Sequence, residues 1–181
     1  MKTDRTATDF YYNDYWGLSE APATSPDSAG QIEEETGFLM ALCNAAGGDG
    51  IASKKERDHI VGVASVKGYL PEAIEKIDEM ADAAESKTIE EMATDAKNSM
   101  CIGTLRFAAG AIIFEAIKAA SKDGLDDKEM EAIRCIADIM GVAKEKVDVI
   151  AELVAEEEAL KKKRIAACIP DHPCLAPEYK K

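Results

Sequence analysis

Residues 39–77 read LMALCNAAGGDGIASKKERDHIVGVASVKGYLPEAIEKI, and residues 113–150 read IFEAIKAASKDGLDDKEMEAIRCIADIMGVAKEKVDVI. The two segments align when one residue is deleted from the second. The matched pairs are Asp49 with Asp123, Gly50 with Gly124, Ile60 with Ile133, Val63 with Ile136, Val66 with Ile139, Gly68 with Gly141, Glu72 with Glu145 and Ile77 with Ile150. A match of this length in a fixed order indicates two copies of one supersecondary unit.

Helix-starting and helix-ending residues divide both copies into helical segments, and no stretch shows the alternation of a strand. A helix of about 31–46 ends at Gly47-Gly48, which can take the positive φ of a helix stop. Ser53 and Glu56 have the spacing of a capping box, which would start the next helix. The further boundary signals are Gly68, Pro71, a second capping box at Thr88 and Glu91, a cap at Asp126 or Asp127, and Gly141.

The most apolar stretch predicts a helix of about 101–121, which is apolar over most of its circumference. A helix of this kind is expected at the centre of a bundle. In the last helix, Glu156–Glu158 precede Lys161–Arg164, an order of charges that favours a solvated face. We therefore predict an all-α bundle of about seven helices, built from two similar repeats around a central apolar helix, with extended arms at both ends.

These segments predict one helical domain between two arms. Three prolines in the C-terminal tail exclude a helix there. The boundaries are an N-terminal arm of 1–29, a helical domain of 30–166 that contains repeat 1 (about 31–82), a linker helix (88–98) and repeat 2 (about 101–166), and a tail of 167–181.

Composition limits the partners and the compartment. A formal net charge of −13 over 181 residues argues against nucleic acid, because contacts to phosphates need clustered Lys and Arg. Cations and basic proteins remain candidates, although an acidic surface also keeps proteins soluble. No run approaches the roughly 18 apolar residues of a membrane span. Five scattered cysteines and no secretory signal predict a soluble protein in a reducing compartment, the cytoplasm first, with an organelle matrix or stroma as the alternative.

The N-terminal arm concentrates aromatic residues in the segment DFYYNDYWG. Two interpretations stay open: the arm folds back into a groove of its own domain, or it docks onto another protein or a multi-subunit complex, since Tyr and Trp are favoured interface anchors. The candidate partner-binding residues are Phe10, Tyr11, Tyr12, Tyr15 and Trp16.

The Asp-Gly turns invite comparison with the EF-hand, whose calcium loop needs oxygen ligands at positions 1, 3 and 5, Gly at 6 and Glu at 12. With Gly50 at position 6, positions 1 and 3 are Ala45 and Gly47. With Gly124 at position 6, position 12 is Met130. Both copies therefore exclude a classical EF-hand.

Two segments carry a resemblance to a known family: Ala46-Gly-Gly-Asp-Gly-Ile-Ala-Ser-Lys-Lys-Glu56 and Ala120-Ser-Lys-Asp-Gly-Leu-Asp-Asp-Lys-Glu129, followed by Gly68-Tyr-Leu-Pro-Glu72 and Gly141-Val-Ala-Lys-Glu145. Over about residues 31–165 the chain resembles the tellurite-resistance TerB-like family. The resemblance implies a compact helical bundle and metal-linked or stress-linked roles.

For a metal-linked role, the cofactor would be Ca²⁺ or another divalent cation, and none is required for the fold. The same residues are also explained as turn and cap residues, each cap contributing about 1 kcal/mol without an ion. The candidate metal ligands are Asp49, Glu56, Asp123, Asp126, Asp127 and Glu129.

Other chemistry finds less support. Cys168, His172 and Cys174 fall short of the four ligands of structural zinc, and the two cysteines could pair or stay free. His59 is expected at the surface or its boundary. No phosphate-binding loop or nucleophile elbow occurs, so we expect no enzyme. The expected function is a non-catalytic binding or scaffold module, an accessory subunit or adaptor that docks through its N-terminal arm; the alternative is an acidic cation-binding module of the stress response.

Overall fold

The computed structural model describes residues 9–18, 28–48, 50, 52–99, 109–170, 172 and 174–179. Within these ranges the chain is all-α, as predicted, and contains no strand. The predicted third segment is interrupted at residues 75–76, which brings the number of described α-helices to eight. They are α1 (Ser28–Ala46), α2 (Lys54–Lys67), α3 (Pro71–Ile74), α4 (Ile77–Glu85), α5 (Ile89–Ser99), α6 (Ala109–Ala120), α7 (Asp127–Ile139) and α8 (Lys144–Cys168).

Reciprocal capping boxes start the equivalent helices α2 and α7. The Ser53 hydroxyl accepts a hydrogen bond from the Glu56 backbone N–H at 3.4 Å, and Glu56 Oε2 accepts one from the Ser53 N–H at 2.7 Å. In the second copy, Asp126 Oδ1 and Glu129 Oε2 accept the matching bonds at 2.8 and 2.7 Å. Each box satisfies backbone donors that a helix start leaves without partners, so both predicted helix starts are confirmed.

Glycines at the ends of helices have two different roles. Gly68 and Gly141 take φ of 76° and 70°, the left-handed conformation predicted for helix stops. Gly47 and Gly48 do not take a positive φ, contrary to the prediction. Their role is close packing: a Cβ on Gly47 would lie 2.8 Å from Ala84 Cβ, because α4 passes directly against the end of α1.

The first helices of the two copies, α1 and α6, pack against each other, and each also contacts the second helix of the other copy. The prediction placed one apolar helix at the centre, and its described part is α6. In the structure α1 shares that position, since two similar units bury their equivalent helices against one another. The fully buried large side chains of these two helices are Leu39, Leu42, Ile112, Ile113 and Ile117.

Both arms fold onto the domain where they are described, which differs from the predicted extended form. Residues Phe10–Tyr15 form one wide helical turn that contacts α2. At the other end, α8 continues to Cys168 and Pro177–Tyr179 form a single 3₁₀ turn, from which the Tyr179 hydroxyl donates to Glu158 at 2.7 Å. No helix in the described ranges is both long and apolar enough to cross a membrane.

Candidate functional site

Three of the six predicted metal ligands come together where the two copies meet. Glu56 and Glu129 occupy the same position in α2 and α7, the third helical residue, and Asp123 lies in the turn before α7. Ligand oxygens of these three side chains all lie within 4.8 Å of one another. In the part of the chain that the structure describes, this is the one group of three such side chains close enough to hold a metal ion.

The capping boxes and a glycine contact hold the two glutamates in place. In each glutamate, Oε2 accepts the bond from its own cap residue, which fixes the carboxyl group at the helix start. A Cβ on Gly48 would lie 3.0 Å from Glu129 Cα, so the end of α1 packs directly on the start of α7. The capping boxes and the α1–α7 contact, which stabilise the fold, therefore also position the two carboxyl groups.

The pair is deeply buried, with exposed fractions of 0% for Glu56 and 2% for Glu129. Burial, together with the adjacent Glu56 carboxyl, raises the pKa of Glu129 to about 8 against the lowering effect of the cap bond. Burial also raises the pKa of Glu56, with an added contribution from the negative charge of Asp123. Glu56 Oε1 is buried and accepts no hydrogen bond unless the neighbouring Glu129 carboxyl group is protonated. Two carboxylates in this position need a shared proton or a cation.

The other predicted ligands are placed differently. Asp126 is the N-cap residue, and its Oδ1 is occupied by the Glu129 backbone N–H. Asp127 is exposed in the first turn of α7, and Asp49 lies outside the described residues. In the tail, Cys168 and Cys174 are exposed free thiols, and no group of three potential ligands includes them or the described His172.

The aromatic arm was the second predicted site, and residues 9–18 fold back on the domain. Tyr11 is buried, and its hydroxyl donates to Glu115 Oε1 at 3.0 Å. Trp16 packs edge-on against Phe114, with ring centroids 5.4 Å apart. Phe10 remains 62% exposed. Docking of this arm onto a partner protein stays a prediction, since four of its five candidate anchors already make contacts within the chain.

The remaining arm residues surround lysines of the domain. Tyr15 is partly exposed and its hydroxyl accepts a hydrogen bond from Lys118 Nζ at 2.9 Å. Tyr12 is half-buried, and its ring centroid lies 5.1 Å from Lys67 Nζ. The rings of Tyr11, Phe38 and Tyr69 enclose the same ammonium group at 4.6 to 5.6 Å.

Sequence reasoning missed this aromatic cage around Lys67. Burial lowers the pKa of Lys67 to about 8, while the rings stabilise its charge. A signal was present, because Lys67 follows Ile60 and Val63 at helical spacing and therefore lies on the inward face of α2.

His59 lies at the boundary between core and surface, one of the two expected placements. Its side chain is 17% exposed, and Nε2 is buried without a hydrogen-bond partner, 3.7 Å from Glu115 Oε2. That distance is too long for a direct hydrogen bond. Burial lowers the pKa of His59, against the raising effect of the Glu115 carboxylate.

Comparison with solved structures finds a tellurite resistance protein from Nostoc punctiforme. It is similar over 94% of each chain, with a TM-score of 0.64 and 24% sequence identity. The chain thus has the fold of that protein, and the resemblance to TerB-like proteins is confirmed at the level of the fold. No protein-family model matches the chain, and no curated protein matches it.

Proposed function

We propose that this chain is a non-catalytic helical module that binds a divalent cation, Ca²⁺ or a similarly hard ion, between its two repeats. The observation that supports the proposal most strongly is Glu56 Oε1, a buried acceptor that faces a second buried carboxyl group and has no N–H donor. Hard cations prefer carboxylate oxygens, and Glu56, Glu129 and Asp123 offer only such ligands. The donor set therefore fits this class of ion.

The ion would be held by these three side chains while both capping boxes stay formed. Each glutamate uses Oε2 for its cap, which leaves Oε1 for the ion. Asp123 is exposed and lies at the solvent side of the pair, where an ion would enter. A cation would displace the proton that the buried pair holds, so affinity is expected to rise with pH.

The competing explanation is capping alone, with the free oxygens sharing a proton. Calorimetry and thermal melting with Ca²⁺, Mg²⁺ and Zn²⁺ separate the two explanations. With a bound ion, the wild type gives saturable heat and a higher Tm, since a ligand that binds only the folded state stabilises it. No heat and no change in Tm at millimolar ion would refute the proposal.

Two exposed aspartates supply a matched pair of variants. Asp123→Asn removes one ligand and is expected to weaken binding by tenfold or more. Asp127→Asn removes the same charge four residues away, from a side chain outside the ligand group, and is expected to leave affinity within about twofold. Equal weakening by both variants would indicate a general effect of charge.

The Nostoc protein is named for tellurite resistance. We extend a stress-related context to this chain as part of the proposal. In cells that depend on the chain, Asp123→Asn would then reduce survival under metal or oxyanion stress, whereas Asp127→Asn would not.

A second candidate function is an adaptor, which the sequence predicted to dock through its N-terminal arm and which α8 would also serve. It is favoured by apolar side chains that remain exposed: Phe10 at 62%, and Val149, Leu153 and Leu160 at 54%, 48% and 62% along α8. Exposed apolar groups of this size often mark protein-binding surfaces. Replacement of Leu153 and Leu160 by Asp is expected to abolish co-purification with a partner while helical circular dichroism stays unchanged, and retained association would exclude this face.

A further inference from the structure

The last helix, α8, has one apolar face inside the fold and a second one outside it. Its inward face packs on α6 and α7. The outward face carries Val149, Leu153 and Leu160, which are exposed. Leu153, Leu160 and the exposed Ala167 follow each other at intervals of seven residues, which is about two turns of a helix, so they lie in one row. We call this row, together with Val149, the outer stripe.

Charged residues of opposite sign flank the two halves of the outer stripe. Glu156 and Glu157 lie beside its first half, and Lys163 and Arg164 lie beside its second half. Glu156 and Lys163 are on one side of the stripe, and Glu157 and Arg164 are on the other, because each pair is separated by about two helical turns. In the described part of the chain, only Glu157 of these four residues has an ionic partner, Lys118 at 3.1 Å.

A second copy of α8 that runs in the opposite direction fits this stripe. With Leu160 at the two-fold axis, the two copies of Leu160 face each other, and Leu153 of each copy faces Ala167 of the other. The paired segments are residues 152–168, a length of about 25 Å. One helix pair of this size is at the low end of specific protein–protein interfaces, so the dimer is expected to dissociate on dilution.

The charges fit the same antiparallel arrangement. Glu156 lies beside Lys163 of the second copy on one side of the stripe, Glu157 lies beside Arg164 of the second copy on the other side, and the two-fold axis repeats both pairs. A parallel pair would place the two acidic halves together, where like charges repel each other. The net charge of −13 on each chain would add to that repulsion. Charge therefore selects both the direction and the register of the pair.

We propose that the outer stripe of α8 is the contact surface of an antiparallel homodimer. The proposal rests on the exposed face that the adaptor function would also use, and it names a second copy of this chain as the occupant. The cation site is not involved, since Glu56, Asp123 and Glu129 lie outside α8. Self-association is measured on the pure protein in EDTA, so its failure is distinct from a failure of either proposed function.

Sedimentation of the full chain at increasing concentration tests the proposal. The buffer contains a reductant as well as EDTA, because Cys168 and Cys174 are exposed thiols. The wild type is expected to change from monomer to dimer between about 5 and 500 µM. Leu160→Asp is expected to stay monomeric with unchanged helical circular dichroism, since the replaced side chain is exposed. A wild type that stays monomeric, which would leave the stripe to a different protein, or a dimer that Leu160→Asp leaves intact, would refute the proposal.

Exchange of charges tests the direction and the register. Lys163→Glu turns two symmetry-related attractions into repulsions and is expected to weaken the dimer by about tenfold. Lys162→Glu is the matched control: it makes the same change nearly opposite the stripe around the helix axis, and the affinity is expected to stay within about twofold of wild type. Glu156→Lys combined with Lys163→Glu restores opposite charges and is expected to return the affinity to within about threefold of wild type. No recovery in the double variant would exclude the antiparallel arrangement and overturn the proposal.

Discussion

Replacement of Glu129 by Gln is expected to stabilise the protein at alkaline pH, although the replaced carboxyl is buried and bonded. The amide oxygen can accept the bond from the Asp126 backbone N–H, and the amide N–H₂ can donate to Glu56 Oε1, which in the wild type has a donor only while Glu129 is protonated. The variant therefore mimics the protonated carboxyl group and no longer depends on a proton. At the same time it lacks a charged ligand for a cation.

The magnitude follows from the raised pKa. In the folded chain Glu129 has a pKa of about 8, against 4.5 for an ordinary glutamate. Between these values the folded state holds a proton that the unfolded state has released, so wild-type stability falls as pH rises from about 4.5 to about 8. One pKa unit corresponds to about 1.4 kcal/mol. Because the proton is shared with Glu56 and Asp123 opens the site to solvent, we expect about 1–2 kcal/mol between pH 5 and pH 8 rather than the full shift.

Urea denaturation of both proteins in EDTA at pH 5 and pH 8 measures this effect. The difference between the two proteins removes the contribution of other titrating groups such as His59. Glu129→Gln should match the wild type at pH 5 and exceed it by about 1–2 kcal/mol at pH 8. An equal loss of stability at both pH values would show that the carboxyl acts only as a cap, and that the proton is not shared.

Three further predictions concern packing, the arm and thiol chemistry. Gly47→Ala would place a Cβ 2.8 Å from Ala84 Cβ and is expected to lower the free energy of unfolding by about 1–3 kcal/mol, measured by thermal melting. Gly62→Ala, with open space around it in α2, should raise the free energy of unfolding by about 0.5–1 kcal/mol. Equal effects of the two variants would contradict the packing described. Tyr11→Phe removes the hydrogen-bond donor to a buried carboxylate and should cost about 1–3 kcal/mol in urea denaturation, and unchanged stability would mean that the arm is not docked in solution. Burial raises the pKa of the Cys43 thiol to about 12, so Cys43 should resist alkylation in the native protein at pH 8 while the two exposed tail cysteines react. Mass spectrometry identifies the labelled residues, and labelling of Cys43 at the same rate as the tail cysteines would contradict its burial.

Local features of this chain could be predicted from the sequence because neighbouring residues determine them. The capping boxes at Ser53 and Thr88 and the helix stop at Gly68 depend on residues within one helical turn, and all three form as predicted. The role of Gly47 could not be predicted, because it depends on the distance to α4.

The candidate site could not be predicted from the sequence either, because it depends on how the helices pack. The repeat alignment already places Glu56 and Glu129 at equivalent positions, but not in contact; the packing of α1 on α7 at Gly48 brings them together. For the arm, composition left two interpretations open. In the structure the arm folds back on its own domain through the contacts of Tyr11 with Glu115 and of Trp16 with Phe114. Composition could not predict these contacts, because both partners lie on α6, far away in the sequence.

Ion binding between the repeats is tested most directly by a crystal structure of the chain grown with a lanthanide as a Ca²⁺ substitute, with anomalous scattering data. We expect one strong anomalous peak within bonding distance of the carboxylates of Glu56, Asp123 and Glu129, with both capping boxes intact. No peak at this position, with Glu56 and Glu129 in direct hydrogen-bond contact through a shared proton, would contradict it.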